Sequence, residues 1–249
     1  MGDFCVIITL TNLLSSEGSN MKYRYDLHVH TKESSACASS TAAEMVDMYK
    51  SEGYTGIVIT DHFFNGNTSV NRQLEWNEWI TTYCQSYKNA KQRGDEIGLD
   101  VFFGFEYSYA GTDFIVLGLD EEWLLAHPEV KNIKVAEFLK LAHEHGGFII
   151  HAHPYLIASW APVIRLMPDH EDAVEVINAP KGDFINARAE EYAKGYDKIR
   201  TGGSDAHWTG VDKLSGIETD YKAESVQDLI EILKKREHEV FLRERVSKE

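Results

Sequence analysis

Three observations predict an α/β fold whose strands close, or nearly close, into a barrel. Short β-rich runs alternate with amphipathic helical runs along the chain. About seven strands are visible, joined without low-complexity linkers or repeats of solenoid length, so one domain is the simplest account. Most of the chemically capable histidines and carboxylates stand at the carboxyl ends of these strands, where a β/α barrel gathers its functional side chains. A doubly wound open sheet shares the alternation and stays open as an alternative.

The elements follow in order. Residues 1–20 are set apart as an extension, because Met21 opens a second plausible start, and the domain is read as 21–249. Phe4 to Leu14 is mildly apolar, but no basic residue precedes it and no small-residue cleavage site follows, so it does not read as a signal segment. Tyr23 to His28 reads as a strand. Residues 41–52 read as a helix, with Ala42, Met45, Val46 and Tyr49 on one face. Thr41 and Glu44 are spaced as a capping box, and Gly53 follows the helix end. Gly56 to Thr60 is a continuous apolar run, the pattern of a strand buried on both faces. A helical stretch covers about 70–94, within an aromatic-rich insertion (Trp76, Trp79, Tyr83, Tyr87) that reads as packed helix. Strands are expected at Asp100–Phe105, Phe114–Leu119, Phe148–Ile150, Ala173–Ile177, Lys198–Thr201 and Val240–Leu242. Helices are expected at 132–145, 183–194 and from Ser225 onward.

Charge limits the function. Forty acidic against 25 basic residues give a formal charge of −15, with no basic run to offset it. Long nucleic acid is disfavoured, because its binding depends on neutralising phosphates with Lys and Arg. A small phosphorylated substrate remains compatible if bound cations reverse the field locally. Cys5, Cys37 and Cys84 make no disulfide framework, which suits a reducing cytoplasm. No apolar stretch approaches the ~20 residues of a membrane span.

The chemistry gathers at strand ends. His28 and His30 close the first strand, and in extended chain they point to the same side. Asp61-His62 follows the second strand and Glu106 the third. His151 and His153 follow Phe148–Ile150. Asp205 and His207 follow the strand at 198–201 through an expected tight turn, Gly202-Gly203-Ser204. Imidazole with carboxylate suits zinc, manganese or iron, and a glutamate such as Glu106 has two oxygens with which to bridge two ions. Each piece also has an ordinary reading. A His-x-His pair can be buried packing, Asp61-His62 a helix cap, Glu106 a solvated carboxylate, and Gly203-Ser204-Asp205 only a turn. Agreement of five separate segments is what carries the metal reading. His127, His143, His145, His170 and His238 fall on helices or polar loops and read as surface residues.

In order along the chain, Asp26-Leu27-His28-Val29-His30-Thr31, Thr60-Asp61-His62, Gly104-Phe105-Glu106, Ala152-His153-Pro154 and Gly203-Ser204-Asp205-Ala206-His207 resemble the motifs of the PHP family (polymerase and histidinol phosphatase). The resemblance spans about residues 23–242 and implies a distorted (β/α)7 TIM-like barrel. It also implies two or three divalent ions (Zn, Mn or Fe) and phosphoester hydrolysis by a water activated between them. Carried over by motif, His28, His30, Glu106 and Asp205 form one site. Glu106 bridges to a second ion held by His153, with His151 as a further candidate. His62 and His207 hold a third, and Asp26 orients a histidine from behind.

Three departures stand out. Where many relatives complete the third site with His or Asp, this chain has Ser35 and Ala36, with Cys37 as a substitute candidate. Asp113 is a stand-in for a histidine that some relatives carry after the glutamate. Leu156 replaces an arginine suited to phosphate, which turns attention to Arg165 or Arg188. Two rival readings are a non-catalytic, degenerate PHP-like metal-binding domain and another amidohydrolase-like metal hydrolase. The second usually needs a late strand-end lysine, and none is evident at the matching position.

Overall fold

The computed structural model describes residues 22–245, and the extension 1–20 lies outside them. Within that span the order is β1 (Tyr23–Val29), α1 (Ala42–Ser51), β2 (Gly56–Ile59), α2 (Trp76–Tyr83), α3 (Gln85–Ile97), β3 (Asp100–Tyr109), β4 (Thr112–Leu117), α4 (Glu121–Ala126), a 3-10 turn (Pro128–Lys131), α5 (Val135–Glu144), β5 (Phe148–Ala152), β6 (Ala173–Asn178), α6 (Asp183–Gly195), β7 (Ile199–Gly203), β8 (Lys213–Thr219), α7 (Val226–Lys235) and β9 (Glu239–Glu244). The expected capping box is present. Thr41 accepts from Glu44 N while Glu44 Oε2 accepts from Thr41 N at 2.7 Å. No helix among the described residues is long and apolar enough to cross a membrane.

The strands form one sheet ordered β7-β6-β5-β4-β3-β2-β1-β8-β9. It curls until the exit of β7 meets β1. Val29 bridges Ala206, and His30 N donates to Ala206 O at 2.9 Å. The barrel-shaped α/β class is therefore as expected, with nine strands instead of about seven.

The one unannounced strand and the departures from parallel order have local causes. A two-residue turn joins β3 to β4 as an antiparallel hairpin, and β4 also runs antiparallel to β5. β8, which no apolar run announces, slots antiparallel between β1 and β9. Its sequence mixes Ser215 and Gly216 with only two aliphatic residues, Leu214 and Ile217. The helical stretch at 70–94 divides at Cys84 into α2 and α3. Gly202 and Gly203, expected as a tight turn, instead end β7.

Side chains separate by strand alternation into two faces. Val58, Ile115, Leu117, Phe148 and Ile150 join Leu229, Ile230 and Leu233 of α7 inside the curl. Phe105, Val116 and Ile149 pack outward on α2 and α5. β1 carries an irregularity between Asp26 and Val29. Leu27 belongs to the inner cluster and Val29 to the outer one against α1. Such a slip re-aims neighbouring side chains, here the two histidines.

Phe63 ties this packing to the site. Fully buried directly after His62, it meets Trp76, Trp79 and Tyr83 edge-on, with centroids 5.3–6.1 Å apart. The aromatic insertion is thus core, and Tyr83 Oη donates to Asp61 O at 2.5 Å. Phe63→Ala is expected to cost about 3–5 kcal/mol, read as a lowered denaturant midpoint. A change below about 1 kcal/mol would contradict Phe63 as a packing hub.

Candidate metal centre

Four strand ends and the interior of β3 deliver their side chains to one mouth; β3 runs on to Tyr109, so Glu106 lies within the strand and does not follow it. β2 continues past its last residue as a single bridge between His62 and Glu106. Phe63 N donates to Glu106 O at 2.9 Å and Glu106 N to Asp61 O at 3.1 Å. His153 and Asp205 leave their strands with φ of 29° and 48°. This left-handed backbone is uncommon for residues with a side chain, and such conformations concentrate at functional sites. Gly203 allows a close approach to His28. A Cβ there would lie 2.4 Å from His28 Cβ and 2.5 Å from Glu175 Oε1.

His28, His30, Glu106, His153, Asp205, His62 and His207 all come together. Candidate ligand atoms fall within 4.8 Å of one another in four overlapping groups: His28/His30/Glu106, His28/His153/Asp205, Glu106/Asp113/His153 and His30/His62/His207. Asp113, the expected stand-in, thus reaches the cluster from β4. Cys37 lines the same cavity, and its thiol makes side-chain contact with His62 and His207. His151 does not join. It shares the outward side of Ile149, and its Nδ1 lies 2.7 Å from Glu171 Oε2, beside Phe114 and Tyr192. The alternation that aims Ile150 inward turns His151 away from the mouth.

The hydrogen bonds behind the rings fix which nitrogen faces the centre. Ser35 Oγ donates to Asp61 Oδ1 at 2.6 Å, so at 3.1 Å it accepts from His30 Nδ1. His28 Nδ1 donates to Glu175 Oε1 at 2.9 Å, and His207 Nδ1 to Asp205 O at 2.8 Å. The Nε2 lone pair of each is left for the centre, the arrangement of metal-binding histidines backed by a carboxylate or carbonyl. Asp26 departs from its expected role. Its oxygens accept from His28 N, Ser204 N and Tyr49 Oη, so it holds two backbone amides and a tyrosine hydroxyl, and not an imidazole. The ring-orienting carboxylate is Glu175, which the sequence reading missed. The available signal was a lone charge inside the apolar run Ala173–Ile177.

The geometry fits cations. His28 Nε2, His30 Nε2 and Glu106 Oε1 are buried without a hydrogen-bond partner, while His62 Nδ1 pairs with Glu106 Oε2 at 2.5 Å. Nitrogen–oxygen separations of 3.3–3.5 Å join His28 to Glu106 and Asp205, His30 and His207 to Asp205, and His153 to Glu106. Ligand atoms ~2.1 Å from a tetrahedral ion stand about 3.4 Å apart.

Electrostatics agree. Burial disfavours the charge on Glu106, yet His62, His153 and His28 hold its pKa well below the usual range. Asp205 is likewise held low, by His28, His30 and Lys181 against its burial. Burial and the neighbouring His207 and His62 keep His30 neutral. His28 and His62 are raised well above the ordinary imidazole value, because their carboxylate neighbours outweigh burial. Burial raises the Cys37 thiol, but contact with His207 and His62 brings it down to about 6.

Neither proposed phosphate arginine faces the cluster freely. Arg165 donates to Ala110 O and Thr112 Oγ1, and Arg188 pairs with Glu191 on α6. The cation at the mouth is Lys181, just beyond β6, with Nζ 3.1 Å from Asp205 Oδ2.

A curled β/α sheet with a buried histidine–carboxylate cluster at its mouth defines the class. The chain belongs to the PHP domain family, whose model matches residues 26–245. No curated protein matches it in sequence. Among solved structures it resembles a two-domain protein from Bacteroides vulgatus ATCC 8482 containing a predicted PHP-like metal-dependent phosphoesterase (TM-score 0.67, 16% identity), covering 89% of this chain and 65% of that one. It also resembles a candidate metal-dependent phosphoesterase from Bifidobacterium adolescentis ATCC 15703 (TM-score 0.51, 16% identity, 84% and 95% covered). A third is PsfC from Pseudomonas syringae PB-5123 (TM-score 0.55, 20% identity, 84% and 88% covered).

Two outcomes follow. Glu175→Ala is expected to weaken metal affinity roughly 10–100-fold in chelator competition, with the fold retained. Unchanged affinity would remove Glu175 from the metal's support. The second concerns pH. In metal-free protein the raised His28 and His62 stabilise the fold below their unfolded values near 6.5, and that contribution is lost as pH rises through the folded values. The lowered Glu106 and Asp205 stabilise above the unfolded carboxylate range, a contribution lost as pH falls through their folded values. Metal needs the histidines deprotonated, so the metal-induced rise in Tm should grow from about pH 6 to 8. A flat or falling increment would contradict the ligand assignment.

Proposed function

We propose that the protein is a metal-dependent hydrolase acting on a phosphate ester, either a small phosphomonoester or a short nucleotide. The observation that carries this is the set of buried imidazole and carboxylate atoms gathered at ligand spacing. Membership of the PHP domain family and the likeness to phosphoesterase-type structures support it.

His28, His30, Glu106 and Asp205 would hold one ion, and Glu106, His153 and Asp113 a second. His62 and His207, with Cys37, would hold a third. Two or three divalent ions (Zn, Mn or Fe) bound there would supply Lewis-acid activation of water and of the phosphoryl group. The chain's own residues do the rest. Glu175 and Ser35 hold His28 and His30 in their binding tautomers. Lys181 adds positive charge at the cavity wall beside Asp205. The net charge of −15 favours a small anion drawn to the cations over long nucleic acid.

The test is Mn-dependent hydrolysis of a generic phosphomonoester, for wild type and Glu106→Ala. Activity that needs the metal, and falls at least about 100-fold in the variant, is expected. Metal-loaded protein with no activity on phosphomonoesters or diesters would overturn the reading. For Cys37, cobalt-loaded protein should show a near-ultraviolet thiolate-to-cobalt band that Cys37→Ser abolishes. The same spectrum in both proteins would exclude the thiolate.

A further inference from the structure

Beside the metal cluster lies a cavity of about 640 Å³, within the range that holds small organic ligands. His62, Asp113, His153 and Asp205 of the candidate ligand set line it. Its walls carry two side chains that the ligand set leaves unused, Lys181 and Trp160.

Lys181 is the only lysine or arginine among the described residues lining this cavity. Its side chain is 22% exposed, and its partner is Asp205 Oδ2 at 3.1 Å. An ammonium held against a candidate metal-binding carboxylate, and open to the cavity, can take a phosphate oxygen as a point charge.

Trp160 is unusual in the opposite way. It is 72% exposed, among the most exposed of the large apolar side chains. Its position is nevertheless built. Ala158 N donates to Ala161 O at 3.1 Å and Ala161 N to Ala158 O at 3.0 Å, closing a tight loop. That loop leans on the β3–β4 turn at Gly111, whose φ is 81°. A Cβ there would lie 2.6 Å from Trp160 O and from Ala161 Cα. The backbone therefore holds an indole at the rim with nothing folded over it.

We propose that these two residues select the substrate: Lys181 grips a phosphate oxygen, and Trp160 stacks on a planar aromatic ring in the leaving group. This rests on the phosphate-ester reading and narrows it from any phosphate ester to esters of ring-bearing alcohols. A flat ring gains from an indole face, whereas a short polyol leaving group does not.

The experiment is calorimetric titration of metal-loaded protein with two uncleavable probes, phenylphosphonate and methylphosphonate. Phenylphosphonate should bind roughly three- to tenfold more tightly. Trp160→Ala should remove that preference while leaving methylphosphonate affinity unchanged. Lys181→Met should weaken both probes roughly tenfold, and Lys181→Arg should restore most of the loss, which separates lost charge from lost folding. Equal binding of the two probes by wild type, or a preference that survives Trp160→Ala, overturns the aromatic assignment. Unchanged affinity in Lys181→Met overturns the cation assignment, and failure of both probes to bind overturns both. Phosphomonoester hydrolysis without ring preference would leave the functional reading standing and sink this one. Trp160-dependent ring preference without hydrolysis would do the reverse.

Discussion

Glu106 is the constraint on which the rest of the structure turns. It is a buried carboxylate whose Oε1 lacks a hydrogen-bond partner and whose Oε2 is met by His62 Nδ1. Taking a carboxylate out of water costs several kcal/mol unless positive charge or donors replace the water. His28, His62 and His153 approach it from three strand exits. Protons on some of these imidazoles can balance it in metal-free protein, and divalent ions balance it better. The slip in β1, the left-handed turns at His153 and Asp205, and the absent side chain at Gly203 all bring nitrogen and oxygen within range of this one group. The curl of the sheet has the same consequence, because the Val29–Ala206 bridge carries Asp205 and His207 across to His30.

Much of this was legible in the sequence. Apolar runs such as Ile57-Val58-Ile59 ended in His or Asp, and a ligand at a strand's carboxyl end is read from order alone. Thr41 and Glu44 announced the start of α1 by their spacing. Other parts were hidden for physical reasons. β8 has little side-chain signal, because it is specified by pairing with β1 and β9 and not by its own apolar pattern. Gly202-Gly203 resembles a turn locally, and only contact with His28 shows why small residues end that strand. His151 and His153 look equivalent in sequence, yet one faces helix α6 and the other the mouth. Glu175 is hidden in the sequence because it sits within β6, behind the strand end, where a single charge in an apolar run carries little signal. Asp26, which stands two residues before His28 as if to orient a ring, instead accepts from two backbone amides and the Tyr49 hydroxyl.

The cavity walls follow a different logic from its candidate ligands. The ligands are held at strands and strand ends and are fixed by the sheet. The walls come from the segment after β5 and the short link before α6, where sequence can change without disturbing the barrel. Leu156, Trp160 and Lys181 therefore give this chain a mouth of its own on a shared scaffold. The loss of an arginine near His153 need not remove cationic help, since Lys181 arrives from the neighbouring strand. Against an overall charge of −15, Lys181 places one positive charge beside the carboxylates of this cavity.

The central claim is that buried imidazole and carboxylate atoms converge at the mouth because they share divalent ions. Its most direct test is stoichiometry, measured by titrating chelator-stripped protein with zinc or manganese while following heat and released protons. The account predicts two or more ions bound per chain, with protons released as His28 and His62 become ligands. Less than one ion per chain, bound without proton release, would contradict it and leave the cluster as a set of ion pairs within a folded barrel.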